Sequence, residues 1–304
     1  MAAIEIADVT RRFGSTVAVD RLSLDVERAE VFAIVGPDGA GKTTLIRLIC
    51  GALAPDSGEI RVDGVDVVRE PGRVQAAIGY MPQRFSLYPD LSVIENLRFY
   101  GDVFGIVAEA FVKRSTMLLQ DFALAPFASR LAEELSGGMK QKLALACALI
   151  HDPATILLDE PTAGVDPVSR REFWNILASI NRSGTTIFVS TPYMDEAERA
   201  HRVAFIAHGT VLRSGRPHEI KASLQGEVVE IVCSDRASAR RALRDDALVR
   251  SVEIFGETLH ALVTSSARAM PEMRDRLSAA GVESVSLHVI QPSLEDVFVE
   301  KLAS

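Results

Sequence analysis

The chain has 304 residues, of which 48% are hydrophobic and 24% charged, a composition typical of a folded globular protein with a sizeable core. This length predicts one domain of roughly 200 residues with a smaller domain attached. A net charge of −8 argues against a nucleic-acid partner, because binding to phosphate backbones depends on clustered Lys and Arg.

The amino-terminal segment carries Glu5 and Asp8 and has neither a basic lead nor a long apolar run. It therefore lacks the features of a secretory signal, and we expect the chain to stay inside the cell. Its apolar stretches, such as 143–150, are far shorter than the roughly 18 residues needed to span hydrocarbon, so any membrane role should depend on a separate protein. The cysteines show no paired spacing and are expected to be reduced thiols.

Residues 4–35 alternate short β-rich runs with turns and end in an apolar strand that leads into a glycine-rich loop. This loop fits the P-loop pattern and lies between a predicted strand and a predicted helix, as the pattern requires. The glycines would let successive backbone N–H groups point toward phosphates, aided by the positive end of the helix. The sequence therefore predicts a nucleotide phosphate site at Gly36, Pro37, Asp38, Gly39, Ala40, Gly41, Lys42, Thr43 and Thr44.

Three side chains of this loop have distinct predicted roles. Lys42 would reach the terminal phosphates, and Thr43 would offer its hydroxyl to Mg²⁺. Thr44 would add a further phosphate contact. The nucleotide and Mg²⁺ are therefore the expected cofactors.

Apolar residues at three- and four-residue spacing predict a helical subdomain from 91 to about 150. Strands return at 155–159, 185–190 and 202–207, and a helix around 169–181 separates the first two. Strands that alternate with helices in this way predict a parallel sheet.

The strand at 155–159 ends in two carboxylates, Asp159 and Glu160, as expected where a buried strand brings charge to the edge of a nucleotide site. Asp159 would hold Mg²⁺, directly or through water. Glu160 would polarise the attacking water as a general base. Either carboxylate alone could instead cap the following turn.

Residues 135–141, LSGGMKQ, resemble the signature sequence LSGGQ of ATP-binding cassette (ABC) ATPases, and the resemblance extends from residue 4 to about 222. It implies that Ser136, Gly137 and Gly138 lie at a helix N-terminus and bind the γ-phosphate of ATP held by another cassette's P-loop. Two cassettes would then enclose two ATP molecules. Met139 replaces the usual glutamine, which removes one amide contact. A plain helix start is the alternative reading of Ser-Gly-Gly.

The resemblance implies roles for three more residues. Gln83 is similar to the glutamine that touches Mg²⁺ and the attacking water, in a loop that contacts the membrane partner. Phe13 matches the aromatic residue that stacks on adenine, and Asp166 resembles the aspartate that links the two halves of the dimer. The alternatives are a surface polar residue for Gln83, core packing for Phe13 and a helix N-cap ahead of Pro167 for Asp166.

After Ser190 and Thr191 the family normally places a histidine that hydrogen-bonds the γ-phosphate, but this chain has Pro192, which has no donor. Tyr193 is a poor substitute, because adjacent side chains on an extended segment point to opposite faces. We expect the site on this P-loop to bind ATP firmly and to hydrolyse it slowly. Asp38, where the family usually has asparagine, points the same way by adding negative charge. Alternatively, Pro192 only shapes a turn.

Beyond about residue 224 the predicted order becomes β-α-β-β-α-β, typical of a small ferredoxin-like α+β domain, with Pro271 inside its second helix. The predicted fold class is α/β. An ABC cassette at 1–222 would contain a RecA-like core, an antiparallel β subdomain and a helical subdomain at about 84–150. An accessory α+β domain would occupy 225–304.

Residues 36–44, 135–147 and 165–174, together with the missing switch histidine, look most like the first cassette of tandem-cassette ABC-2 multidrug exporters. Residues 292–302 resemble the ending of ABC-2 drug-exporter ATPases, where the extra domain helps cassettes to pair. The resemblance implies an ATP hydrolase on the cytoplasmic face of the membrane, driving a separate integral membrane permease. The second cassette would be different, since a half-degenerate site favours a heterodimer over a homodimer.

Two other functions stay open at this point. A regulatory cassette with little turnover is permitted by the missing histidine, although Glu160 argues against it. A non-transport ABC ATPase acting on ribosomes or DNA would be expected to carry basic insertions or long coiled coils, and neither pattern is present in the sequence. The sequence does not specify the cargo.

Overall fold

The computed structural model describes residues 2–84, 87–244 and 246–303. The chain divides into two compact units, Met1–Ser214 and Gly215–Ser304. This boundary falls at the end of a strand, whereas the sequence placed the end of the first domain at 222. The short helix between these two positions belongs to the second unit.

The first unit contains strands and helices in alternation. Its strands are β1 (Ala2–Phe13), β2 (Thr16–Glu27), β3 (Val31–Val35), β4 (Ser57–Val62), β5 (Val65–Asp66), β6 (Ile78–Met81), β7 (Thr155–Asp159), β8 (Thr186–Thr191), β9 (Arg202–Ala207) and β10 (Thr210–Gly215). Its helices are α1 (Lys42–Ile49), α2 (Pro71–Ala77), α3 (Val93–Val103), α4 (Ala108–Asp121), α5 (Gly137–Leu149), α6 (Pro167–Arg182) and α7 (Met194–Ala197).

The central sheet has the strand order β10-β9-β3-β8-β7-β6, and the pairs from β9 through β6 are parallel. Every residue of β3, β7 and β8 is buried, as expected for parallel strands covered on both faces. Phe32 and Phe188 stack between neighbouring strands, with ring centroids 5.8 Å apart. The carboxyl ends of β3, β8 and β7 lie side by side, so the segments that follow them meet at one edge of the sheet.

A second sheet, of order β2-β1-β4-β5, is antiparallel. Its long strands β1 and β2 bury one side against the core that also contains α1, including Ile4, Val26 and Leu45. The predicted antiparallel β subdomain is therefore confirmed, and it borders the P-loop through the β1–β2 hairpin.

The region between β6 and β7 is helical, as predicted. It contains α3, α4 and α5, with short 3₁₀ turns at Ala125–Phe127 and Ala132–Glu134. Residues 85 and 86, at the start of the predicted helical subdomain, lie outside the described residues. Helix α3 begins with a capping box: the Ser92 hydroxyl accepts from the Glu95 amide, and the Glu95 carboxylate accepts from the Ser92 amide at 2.8 Å.

The second unit has strands β11 (Glu227–Val232), β12 (Val249–Phe255), β13 (Thr258–Val263) and β14 (Ser286–Ile290), and helices α8 (Pro217–Ala222), α9 (Arg236–Leu243), α10 (Ser266–Ala279) and α11 (Leu294–Ala303). The antiparallel strand order β12-β13-β11-β14 is that of a ferredoxin-like domain, which confirms the predicted fold class. Helix α10 runs through Pro271 without ending there. Its apolar face joins the β-sheet core through Met273 and Leu277.

No helix within the described part of the chain combines the length and the apolar character needed to cross a bilayer.

Candidate active site

The P-loop connects β3 to α1, and its backbone is closely packed at Gly36 and at Gly41. Gly41 is the N-cap of α1, with φ of 103°, in the region that favours glycine. A Cβ added to Gly41 would collide with the carbonyl oxygen of Ala18 on the β1–β2 side. This close approach of the Gly41 and Ala18 backbones fixes the start of α1, whose first N–H groups have no partner within the helix.

Lys42 is the first residue of α1, and its side chain is only 4% exposed. Its ammonium group donates to the carbonyl oxygens of Gly36 at 2.8 Å and Pro37 at 3.1 Å. It also lies 3.2 Å from the Glu160 Oε1 atom, forming an ion pair. The positive charge is thus held inside the loop, next to a carboxylate at the end of β7.

Asp159 is the last residue of β7 and is completely buried. Its Oδ1 atom accepts hydrogen bonds from the hydroxyls of Thr43 at 3.1 Å and Ser190 at 2.8 Å. Burial raises the pKa of the Asp159 carboxyl, and the nearby charge of Glu160 adds to this, although the two hydroxyl bonds act in the opposite direction. Within the described residues, its Oδ2 atom is buried without a hydrogen-bond partner.

This unpartnered carboxylate oxygen beside a threonine hydroxyl fits a hard divalent cation such as Mg²⁺, which prefers oxygen ligands. The described residues contain no group of three His, Cys, Asp or Glu side chains that could bind a metal by themselves. Phosphate oxygens of a nucleotide, together with water, would supply the remaining ligands.

Glu160 follows Asp159 and is 9% exposed. Its Oε2 atom accepts from the Gln83 side-chain amide at 2.9 Å, while Oε1 faces Lys42. Its backbone has φ of 47°, which is unusual for a residue other than glycine, and its N–H donates to the Ser190 hydroxyl at 2.9 Å. The glutamate is therefore fixed by both its backbone and its side chain.

Ser190 is a site residue that the sequence analysis did not assign. Its hydroxyl contacts both Asp159 and the backbone of Glu160. The available signal was positional, because Ser190 ends a predicted strand that neighbours β7 in a parallel sheet. The cross-strand pairing of Asp159 with Ser190 makes this contact possible.

The structure brings Lys42, Thr43, Gln83, Asp159 and Glu160 together, with the backbone of Gly36 and Pro37 around Lys42. The remaining predicted residues differ in their exposure. Phe13 is 47% exposed at the end of β1, with the Arg11 guanidinium 4.9 Å from its ring centroid. Its exposure argues against the core-packing alternative. Pro37, Asp38 and Gly39 are exposed at the tip of the loop, whereas Gly36 and Ala40 are buried and Thr44 is partly buried.

The signature residues and Asp166 each begin a helix. Ser136 caps α5 by accepting from the Met139 amide at 3.3 Å, and Ser136 and Gly137 are exposed while Gly138 is buried. Asp166 caps α6 by accepting from the amides of Val168 and Ser169 at 3.1 and 2.9 Å. Hydrogen bonds from Ser169 hold the pKa of the Asp166 carboxyl below its usual range. Within a single chain, Ser136 and Asp166 therefore both act as helix N-caps.

Pro192 follows β8 and is exposed. The next residue, Tyr193, donates its backbone N–H to the Thr191 hydroxyl at 3.1 Å. Its ring lies under the Arg170 guanidinium, whose central carbon is 3.9 Å from the ring centroid. The Tyr193 ring therefore contacts Arg170, and no described contact joins Tyr193 to Lys42 or Glu160.

A phosphate loop between a central strand and a helix, with a buried lysine and two carboxylates on a nearby parallel strand, defines the class of P-loop nucleotide-binding ATPases. Comparisons with known proteins narrow this class. A family model described as "ABC transporter" matches residues 19–163, and a model described as "ATP-binding protein DrrA1-3-like, C-terminal domain" matches residues 215–302.

Curated relatives match both parts of the chain. The Nod factor export ATP-binding protein I of Paraburkholderia xenovorans is 38% identical over 300 residues, covering 98% of this chain and 96% of that protein. The probable multidrug ABC transporter ATP-binding protein YbhF of Escherichia coli is 42% identical over 219 residues. That match covers 72% of this chain but only 38% of YbhF.

Solved cassettes share the fold of the first unit. A dimeric, post-hydrolysis structure of the ATP-binding cassette MJ0796 with ADP and Pi has a TM-score of 0.64 and 27% identity, covering 70% of this chain and 98% of that one. The chain therefore belongs to the ABC transporter family, as an ATP-binding cassette protein.

Proposed function

We propose that this protein is the ATP-hydrolysing subunit of an ABC-2 type exporter, coupling ATP binding and hydrolysis to transport by a separate membrane permease. One observation carries the proposal of hydrolysis: Glu160 faces Lys42 and Gln83, beside an Asp159 oxygen that has no described partner. This arrangement combines a phosphate-binding cation, a cation-binding carboxylate and a base.

Thr43, Gln83 and Asp159 would hold Mg²⁺ together with the nucleotide phosphates. When bound, the metal would neutralise charge on the phosphoryl oxygens. Asp159 suits this role because one of its oxygens is already fixed by Thr43 and Ser190, which leaves the other free for a ligand.

Lys42 now pairs with Glu160, so a triphosphate in the loop would compete for the same ammonium group. Once Lys42 contacts phosphate, the Glu160 carboxylate becomes available to accept a proton from the attacking water. Gln83 would orient that water from the other side of the carboxylate. Phe13 would offer its exposed ring to adenine.

Ser136, Gly137, Gly138 and Asp166 would act on the ATP held by a second cassette. Ser136 and Gly137 are exposed at the start of α5, where backbone N–H groups and the helix dipole favour phosphate. The dimeric MJ0796 cassette supports pairing in this family. Pro192 in place of a histidine favours a different cassette as the partner, with slow hydrolysis at this chain's own P-loop.

The names of the relatives support export, because they describe Nod factor export and probable multidrug transport.

Docking of an integral membrane permease on the cytoplasmic face is supported by exposed apolar side chains in the helical region. They are Tyr88, Phe99, Val103, Val107, Val112 and Met117. The Tyr88 and Phe99 rings touch, with centroids 4.5 Å apart. We propose that the cassette function resides in the first unit, which ends at Ser214, and that the domain at 225–304 helps cassettes to pair.

The decisive experiment compares Glu160→Gln and Lys42→Ala in the full chain. Glu160→Gln keeps the side-chain shape but removes the base, so it should bind ATP with Mg²⁺ normally while kcat falls about 10²–10⁴-fold. Lys42→Ala should lose ATP binding. Normal nucleotide uptake by Lys42→Ala, or undiminished hydrolysis by Glu160→Gln, would overturn the proposal.

A further inference from the structure

A buried carboxylate behind the site has no role in the proposed function so far. Glu196 lies in α7 and is 1% exposed. Its Oε1 atom accepts a hydrogen bond from the Thr162 hydroxyl, and its Oε2 atom accepts one from the Thr191 hydroxyl, both at 2.6 Å. Short hydroxyl-to-carboxylate bonds of this kind are strong and directional, so they hold both threonines in place.

The two threonines belong to the segments that carry the reacting groups. Thr162 lies two residues after Glu160, in the turn that follows β7, and is 1% exposed. Thr191 directly follows Ser190, whose hydroxyl accepts the backbone N–H of Glu160. Glu196 therefore connects the turn after Glu160 to the end of the neighbouring strand.

A cation from α6 completes this cluster. The Arg170 Nε atom lies 3.5 Å from Glu196 Oε1, close enough for charge attraction, although it makes no hydrogen bond with any described residue. The Arg170 guanidinium also covers the Tyr193 ring. Because burying a carboxylate without a partner is costly, the nearby positive charge stabilises the Glu196 side chain in this position.

Glu160 needs such external support because of its backbone. Its φ of 47° is a conformation that persists only when surrounding contacts hold it. The carboxylate of Glu196 accepts hydrogen bonds from Thr162, two residues after Glu160, and from Thr191, next to Ser190. The Ser190 hydroxyl in turn accepts the backbone N–H of Glu160. Loosening these bonds would spread the Glu160 carboxylate over more orientations, which lowers the rate of the chemical step more than nucleotide affinity.

We propose that Glu196, acting through Thr162 and Thr191, is a positioning residue for the Glu160 carboxylate. This inference rests on the proposed function, in which Glu160 is the base for ATP hydrolysis. Glu196 makes no contact with nucleotide in this proposal. Its substitution should therefore lower kcat and leave KM for ATP nearly unchanged.

The test uses the full-length chain, together with any membrane subunits that co-purify, and Mg²⁺-ATP as substrate. Thr162→Val removes the hydroxyl at nearly constant volume, and Thr162→Ser retains it. We expect Thr162→Val and Glu196→Gln to lower kcat about tenfold, with KM for ATP within about twofold of the unaltered chain. Thr162→Ser should restore most of the rate. Asp195→Asn, an exposed neighbour on the same helix, should leave the rate unchanged.

The outcomes separate the two proposals when Glu160→Gln is measured alongside. If Glu160→Gln abolishes hydrolysis while Thr162→Val and Glu196→Gln keep the normal kcat, the positioning role alone is refuted. A rate loss that Thr162→Ser does not restore, or one matched by an equal loss of ATP affinity, also refutes it. If the unaltered chain binds ATP but does not hydrolyse it, the proposed function fails and this inference fails with it.

Discussion

At the scale of single residues, adjacent carboxylates at the end of β7 occupy different environments. Asp159 is fully buried between two hydroxyl donors, and burial raises the pKa of its carboxyl group. Glu160 is placed between a cation and an amide donor. Neighbouring acids with unlike surroundings suit unlike roles, which supports the proposed roles of Asp159 as a metal ligand and Glu160 as a general base.

Pro192 stands where the resemblance to ABC cassettes leads us to expect a histidine donor for the γ-phosphate, and the Tyr193 ring lies against Arg170. We predict that Pro192→His raises the ATPase rate of the assembled transporter about ten- to one-hundred-fold, because a charge-assisted hydrogen bond is worth about 1.5–3 kcal/mol. Steady-state ATPase assays would measure this.

Pro192→Ala is the matched control, since it removes the ring without adding a donor. It should leave the rate close to that of the unaltered chain. An unchanged rate in Pro192→His would mean that the proline only shapes the turn after β8.

At the scale of secondary-structure elements, the start of α5 packs tightly against the start of α6. A Cβ added to Gly138 would lie 2.6 Å from the Ser169 hydroxyl oxygen and 2.7 Å from its Cβ. A Cβ added to Gly137 would meet no atom within 4 Å. Of the two signature glycines, Gly138 thus serves packing within the chain, and Gly137 leaves its surface open.

This difference predicts opposite effects of the same substitution. Gly138→Ala should lower the free energy of unfolding by about 1–3 kcal/mol, because the added methyl group overpacks the contact between α5 and α6. Gly137→Ala should be neutral or stabilise by up to about 1 kcal/mol, since alanine favours a helix over glycine. Urea unfolding of both variants would decide, and equal destabilisation would contradict the packing argument.

At the scale of the whole molecule, all predicted nucleotide-site residues belong to the first unit, and they fall into two groups. The group around Lys42 and Glu160 is assembled within one chain. Ser136 and Gly137 make no described contact with it and are exposed. Such an arrangement is expected when each site is completed by a second cassette. A substitution at Ser136 or Gly137 should then impair pairing of cassettes without altering the group around Lys42.

We predict that Ser136→Arg prevents ATP-driven association of the chain with its cassette partner, because the bulky side chain would occupy the phosphate position at the start of α5. The measurement is size-exclusion chromatography with light scattering, with Mg²⁺-ATP and the Glu160→Gln background to prevent turnover. Gln120→Arg, which adds the same charge at an exposed position of α4, should still associate. Persistent ATP-dependent association of Ser136→Arg would contradict the composite site.

The sequence was sufficient to predict elements whose determinants are local. The P-loop, the apolar strand ending in Asp159 and Glu160, and the helix start at Ser136 depend on residues near each other along the chain. The N-cap at Asp166 was only an alternative reading of the sequence. The β-α-β-β-α-β order of the second unit was likewise readable from hydrophobic periodicity. Side-chain pairing between distant segments was not readable in this way.

Only the tertiary structure decided which of these elements meet. Parallel pairing places Ser190 beside Asp159, and the packing of α6 and α7 brings Arg170 next to Glu196, which accepts hydrogen bonds from Thr162 and Thr191. Contacts across so many residues depend on strand register and on helix packing, and neither leaves a distinctive pattern around Ser190 or Glu196 in a single sequence. The sequence alone was therefore sufficient to predict the phosphate site. The contacts around Glu160 depend on the tertiary structure, because they join segments that are distant along the chain.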